Sequence, residues 1–142
     1  MEVVSAMNLV HLTPILNVSN IAESFAWFEK LGWKKAWDWG DPPGFGAVRC
    51  GHFEIFLCQN CQGSRGGPTP RHLGADDDTG GVWMSWFVAT PAEVDATYQL
   101  ALEQGLTVTH SPTDEPWGVR ECHIQHPDGH TFRVGAGIGK EE

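Results

Sequence analysis

The sequence predicts an α+β domain built from two copies of one unit, each a strand, a helix and about three further strands. Three observations predict it. Two helix-start signals, at Asn20 and Thr90, lie about 70 residues apart. Strand-like stretches follow both in the same order, and a Pro127-Asp128-Gly129 turn separates two nearly alternating polar and apolar stretches close to the carboxyl end.

The elements follow in order. Leu9 to Val18 reads as a strand that runs into Asn20-Ile21-Ala22-Glu23, where an N-cap residue stands three places ahead of a glutamate. Ile21, Phe25, Phe28 and Leu31 then recur at helical spacing until Gly32 stops the helix. Trp33 to Trp39, Gly46 to Cys50 and Phe53 to Gln59 read as the next strands. In the second half, Val82 to Ala89 leads into Thr90-Pro91-Ala92-Glu93, with proline at the first helical position. Val94, Tyr98, Ala101 and Leu102 form its stripe and Gly105 its stop; Thr107 to Thr109, Val119 to Gln125 and Thr131 to Val134 complete the unit. The repeats therefore span about 8–60 and 81–136, joined by an irregular Gly-rich stretch, 62–81, that carries Asp76-Asp77-Asp78.

The 142 residues make one ordinary domain, 1–142. Hydrophobic residues at 41% and charged residues at 19% suit a chain with a buried core. A formal net charge of −9 disfavours nucleic acid and anionic membrane surfaces as partners and leaves small neutral or cationic ligands free to approach. MEVVSAMN has neither the basic region nor the apolar run of an export signal, so the cytoplasm is the expected compartment and Cys50, Cys58, Cys61 and Cys122 are expected as reduced thiols.

No Gly-x-Ser-x-Gly elbow, phosphate-binding P-loop or dinucleotide fingerprint occurs. Cys58-Gln-Asn-Cys61 has redox or zinc spacing, with His72 downstream, but no second pair completes it. His123 and His126 fall three apart and so on opposite faces of a strand, while His52, His72, His110 and His130 are expected in solvated loops or turns.

The entry LTPILNVSNIAESFAWFEKLGW, the central HFEIFLCQNCQG and the closing HPDGHTFRV together resemble the vicinal oxygen chelate superfamily of glyoxalases, extradiol dioxygenases and bleomycin-resistance proteins. The resemblance implies a half-open cup holding a ligand or metal, and a homodimer with clefts near the subunit interface. It also carries four metal-ligand positions onto Thr13, Phe56, Trp83 and Arg133. A divalent ion needs lone-pair donors, which phenylalanine, tryptophan and arginine do not supply. The expectation is therefore a metal-independent, cofactor-free binder of a small aromatic or cationic molecule, similar to drug-sequestering bleomycin-resistance proteins and associated with antibiotic resistance. The alternative is a metal-dependent lyase, isomerase or dioxygenase with an atypical site that includes His11 and Glu54.

Strand alternation groups His11 with Thr13 and Ile15, Glu54 with Phe56 and Cys58, and Trp83 with Ser85 and Phe87. The positions carried over by the resemblance turn these faces into the cup, where His11, Glu54, Phe56, Trp83, Ser85 and Arg133 are candidate ligand-binding residues. Trp33, Trp37 and Trp39 should share a strand face, and Trp117 lies in a Pro-Trp-Gly loop. Trp27 and Trp86 read as core, whereas Trp37, Trp39, Trp83 and Trp117 serve equally as core or as walls for a flat or cationic guest. Arg133 needs a counter-charge if buried, from Glu54, Glu121 or a ligand carboxylate.

Overall fold

In a computed structural model that describes residues 5–66 and 80–139, the strands gather into two four-stranded mixed sheets. The first contains β1 (Ile15–Val18), β2 (Lys34–Gly40), β3 (Pro43–Cys50) and β4 (Phe53–Gln59) in the order β1-β4-β3-β2. The second contains β5 (Trp83–Phe87), β6 (Thr107–Asp114), β7 (Val119–Gln125) and β8 (Thr131–Gly137) in the order β5-β8-β7-β6. In both sheets the first strand pairs in parallel with the last, and the rest are antiparallel. The order strand, helix, three strands occurs twice, with α1 (Ile21–Lys30) and α2 (Pro91–Glu103) as the helices.

Each helix begins where its cap residue dictates. Asn20 Oδ1 accepts from Glu23 N at 3.0 Å and Thr90 Oγ1 from Glu93 N at 3.3 Å, contacts of a kind worth about 1 kcal/mol each. Gly32 and Gly105 end them at φ +94° and +75°, so that Trp33 N reaches Phe28 O at 3.2 Å and Leu106 N reaches Ala101 O at 2.9 Å.

α1 lies at the centre. Its Phe28 ring is fully buried and meets Trp33, Trp86 and Phe132, while Trp27 meets Phe132 and His126. The helix of the first unit thus packs on the back of the second unit's sheet, where Trp86 stacks on Phe132 at 4.2 Å. Burial of each such side chain contributes about 1.5–3 kcal/mol.

The hairpin between β7 and β8 fastens the units together. Gly129 at φ +88° turns the chain, and a Cβ there would stand 2.5 Å from the Gly66 carbonyl carbon, so only glycine fits. His130 Nδ1 accepts from Val82 N at 3.0 Å, which leaves its Nε2–H to donate to Asn17 O of β1 at 2.8 Å. His126 Nδ1 accepts from Asp128 N at 3.0 Å, leaving Nε2–H for Ser24 Oγ of α1 at 2.7 Å. Asp128 Oδ2 accepts from Ser19 N at 2.9 Å. Burial, reinforced by His130, holds the His126 imidazole near a pKa of about 4 against the pull of Asp128; burial likewise lowers His130.

Several expectations change. His130 is sealed from solvent, not a solvated turn residue, because β1 and Val82 close over it. His110 lies inside β6, half-buried, since that strand runs five residues beyond Thr109. A register shift between Lys35 and Trp37 breaks the alternation of β2, so buried Trp33 faces the core while Trp37 faces away from it. Cys58 and Cys61 are joined as a disulfide and not reduced: Asn60 at φ +55° turns the chain past the end of β4, bringing Cys61 back towards Cys58. His11 and Thr13 precede β1. His72 and Asp76-Asp77-Asp78 lie outside the described residues.

Candidate functional site

Each sheet presents its helix-free face with a different chemistry. On the second sheet the register lines up three rows across the strands: Trp83, Thr131, Gln125 and Thr107; Ser85, Arg133, His123 and His110; Phe87, Gly135 and Glu121. Side chains two apart along a strand point the same way, and in β6 the register shift between Val108 and His110 brings His110, three residues after Thr107, opposite His123.

Glu121 is the centre of the network. Its carboxylate is 3% exposed and accepts from Arg133 Nη2 at 2.8 Å, Arg133 Nε at 3.2 Å, His123 Nε2 at 2.8 Å and Trp117 Nε1 at 3.3 Å. Burial pushes its pKa up, but hydrogen bonds from Arg133, then His123 and Trp117, outweigh burial and bring it to about 2. The same pairing raises the pKa of Arg133. Burial lowers the pKa of His123 despite its Glu121 partner. The His123 ring lies 4.6 Å from His110, whose Nε2 is 2.8 Å from Glu115 Oε2, and Trp83 meets His123 edge-on at 5.6 Å.

Trp117 stands above this network on a tight loop. Glu115 N bonds Val119 O at 2.7 Å and Gly118, at φ +90°, returns its N–H to Glu115 O at 3.0 Å. Between them the indole projects 61% exposed over a recess of about 180 Å³ lined by Ser85, Phe87, Trp117, Glu121 and Arg133.

The first sheet carries rings instead. Trp37, Phe45 and Phe56 meet at centroid distances of 5.4 to 5.7 Å above Ala47 and beside Ile15. Trp39 is 74% exposed beyond this triad. Glu54 pairs with Arg49 at 2.8 Å, so the counter-charge of Arg133 is Glu121. His11 is exposed.

Of the residues singled out from sequence, the structure brings Ser85, Trp117 and Arg133 to one recess, with Trp83 two residues along the same strand face. Trp37 and Phe56 meet on the other sheet, and Trp39, Glu54 and His11 join neither group closely. Sequence reasoning passed over His110, His123 and Phe45 as site residues, took Phe87 only as a neighbour of Ser85 on its strand face, and took Glu121 only as a counter-charge. The alternation of Glu121 and His123 in β7, opposite Arg133 in β8, was the available signal.

The inherited metal positions do not fit a divalent ion. Phe56 belongs to the ring triad, Trp83 offers a ring edge, and Arg133 is a cation clasped by Glu121. Among the described residues no group of three or more His, Cys, Asp or Glu side chains is arranged to hold a metal. No described helix is long and apolar enough to cross a membrane.

Comparison with known proteins gives a family match over residues 8–134, described as the Glyoxalase/Bleomycin resistance protein/Dioxygenase superfamily. Among curated proteins no relative matches the sequence. Similar solved structures include a glyoxalase/bleomycin resistance protein/dioxygenase from Nocardioides, with a TM-score of 0.68 and 19% identity over 97% of this chain and 90% of that one. TioX from Micromonospora sp. ML1 has a TM-score of 0.69 and 13% identity, covering 90% and 98%. A bleomycin-binding protein complexed with bleomycin has a TM-score of 0.64 and 16% identity, covering 92% and 100%. At these identities the likeness is one of fold.

Proposed function

The chain belongs to the glyoxalase/bleomycin resistance protein/dioxygenase superfamily, and from that premise we propose that it binds a small, flat aromatic or cationic organic molecule without a metal ion, as a drug-sequestering protein does. The observation that carries this reading is the recess beneath Trp117, where ring walls surround the Glu121–Arg133 ion pair. Such a mixture of apolar wall and few orienting polar groups suits an organic guest. The charges within it are already neutralised, so a guest need not bring a counter-ion. One of the solved structures of similar fold is a bleomycin-binding protein with its drug, which makes bleomycin the natural first probe.

A second copy of the chain completes the site in this reading. The recess of about 180 Å³ falls short of the roughly 300 Å³ at which organic-ligand pockets begin. The ring triad of the first sheet is open on one side, and Met7, Leu9, Val10 and Leu12 ahead of β1 are 65 to 86% exposed. Apolar surface of this extent calls for a cover. Residues 8–60 and 81–136 are read as two halves of one domain acting in the cytoplasm.

The test is a fluorescence titration, with Trp117 as reporter, against bleomycin and a panel of planar cationic compounds, on protein first treated with a chelator. Saturable quenching that Trp117→Phe removes supports the reading. Flat titrations across the panel reject it. Light scattering at micromolar concentration should give twice the chain mass.

A further inference from the structure

We propose that the row Ser85, Arg133, His123, His110 is a polarised docking track, donors at one end and acceptors at the other, selecting a flat guest with an acceptor oxygen at one end and a protonated nitrogen at the other. This rests on the ligand reading above and adds the chemical class of the guest.

The polarity follows from which hydrogen-bonding atoms the protein has already used. Arg133 spends Nε and Nη2 on Glu121, and its Nη1 has no partner among the described residues. A guanidinium carries five N–H donors and no acceptor, so what it still offers is donors only. Ser85, its register neighbour on β5, is exposed and its hydroxyl has no partner among the described residues, and both residues line the recess. This end therefore presents an N–H fork and a hydroxyl to an oxygen.

At the other end the logic reverses. His123 and His110 each place Nε2 at 2.8 Å from a carboxylate, Glu121 and Glu115 respectively. A carboxylate accepts, so Nε2 carries the proton, and a neutral imidazole then has its lone pair on Nδ1. Neither Nδ1 has a partner among the described residues. The two rings lie 4.6 Å apart, tilted at 33° to each other, with two carboxylates and a single guanidinium around them. That balance leaves this end one negative charge in excess, which suits a guest N–H cation.

The two ends sit on β8 with β5 and on β7 with β6. Neighbouring strands are about 4.8 Å apart, so β8 and β6 are separated by about 10 Å, the reach of one substituted ring. The guest would lie across the strands with Trp117 above one end and the edge of Trp83 beside the other.

Three probes separate the ends: benzoate, benzamidine and 4-amidinobenzoate, which carries both groups across one ring. Isothermal titration or amide chemical shifts should show 4-amidinobenzoate binding about tenfold tighter than either single-ended probe, the gain of one charge-assisted hydrogen bond. Ser85→Ala should weaken 4-amidinobenzoate and benzoate and spare benzamidine. His110→Ala should weaken 4-amidinobenzoate and benzamidine and spare benzoate. The track is wrong if the double-ended probe binds no tighter than the better single-ended one, or if both substitutions weaken all three alike. Binding of an uncharged flat aromatic such as quinoline, with none of the three probes bound, overturns the track and leaves the ligand reading standing. Failure of quinoline and of the planar cation panel as well removes both.

Discussion

Two pairs of histidines in the second unit are made of the same side chain and have opposite roles. His126 and His130, 5.4 Å apart, have all four ring nitrogens engaged by the protein, and they join the hairpin to β1, α1 and Val82. Among the described residues, His110 and His123, 4.6 Å apart, have one nitrogen each engaged, by a carboxylate on the open face. A histidine with both nitrogens satisfied and no exposure is part of the fold. One with an unspent lone pair on a solvent-facing sheet is available to a guest.

If that distinction holds, His126→Ala should be the most damaging substitution in either pair. It empties a site walled by Trp27 and Phe28 and strands the Ser24 hydroxyl and the Asp128 amide. A loss of about 3–4 kcal/mol in urea unfolding is expected. A loss below 1 kcal/mol would show that the hairpin does not fasten the units.

Acid should attack the same pair. The imidazole of His126 is held near a pKa of about 4 in the fold, against an ordinary 6.5. The unfolded chain therefore takes up a proton that the folded one refuses, so the His126 contribution to stability falls as pH drops from 6.5 towards 4 and then levels off. A gap of that size corresponds to about 3 kcal/mol, with His130 acting in the same direction. Unfolding free energies measured at intervals through that window should show the slope, and His126→Gln should flatten most of it.

The fold was legible because its signals are local. The caps at Asn20 and Thr90, the stops at Gly32 and Gly105 and the Pro-Asp-Gly turn each act within a few residues, and all stand where the sequence placed them. The roles of the histidines were not legible for the opposite reason. His130 is sealed by a carbonyl 113 positions away and His126 by a hydroxyl 102 positions away, and no local pattern announces such partners. A register shift of the kind between Lys35 and Trp37 is equally silent in sequence, yet it moves Trp33 and Trp37 to opposite sides of a sheet. Part of the recess was nevertheless readable, since the resemblance carried positions onto Trp83 and Arg133 and alternation then set Ser85 on the face it shares with them.

Smaller effects sharpen the contrast. Ser24→Ala removes the partner of the buried His126 Nε2–H while leaving the ring in place, and about 1–2 kcal/mol should be lost. His110→Ala is the mirror experiment. The imidazole side chain is 36% exposed and its bond to Glu115 is near the surface, where such pairs contribute less than about 1 kcal/mol. Urea midpoints within that margin of the parent, together with a measurable weakening of amidinium binding, would place His110 with the guest and His126 with the fold. A large loss of stability would instead mean that the pair on the open face also holds the sheet together, and the count of unspent nitrogens would no longer separate the two kinds of histidine.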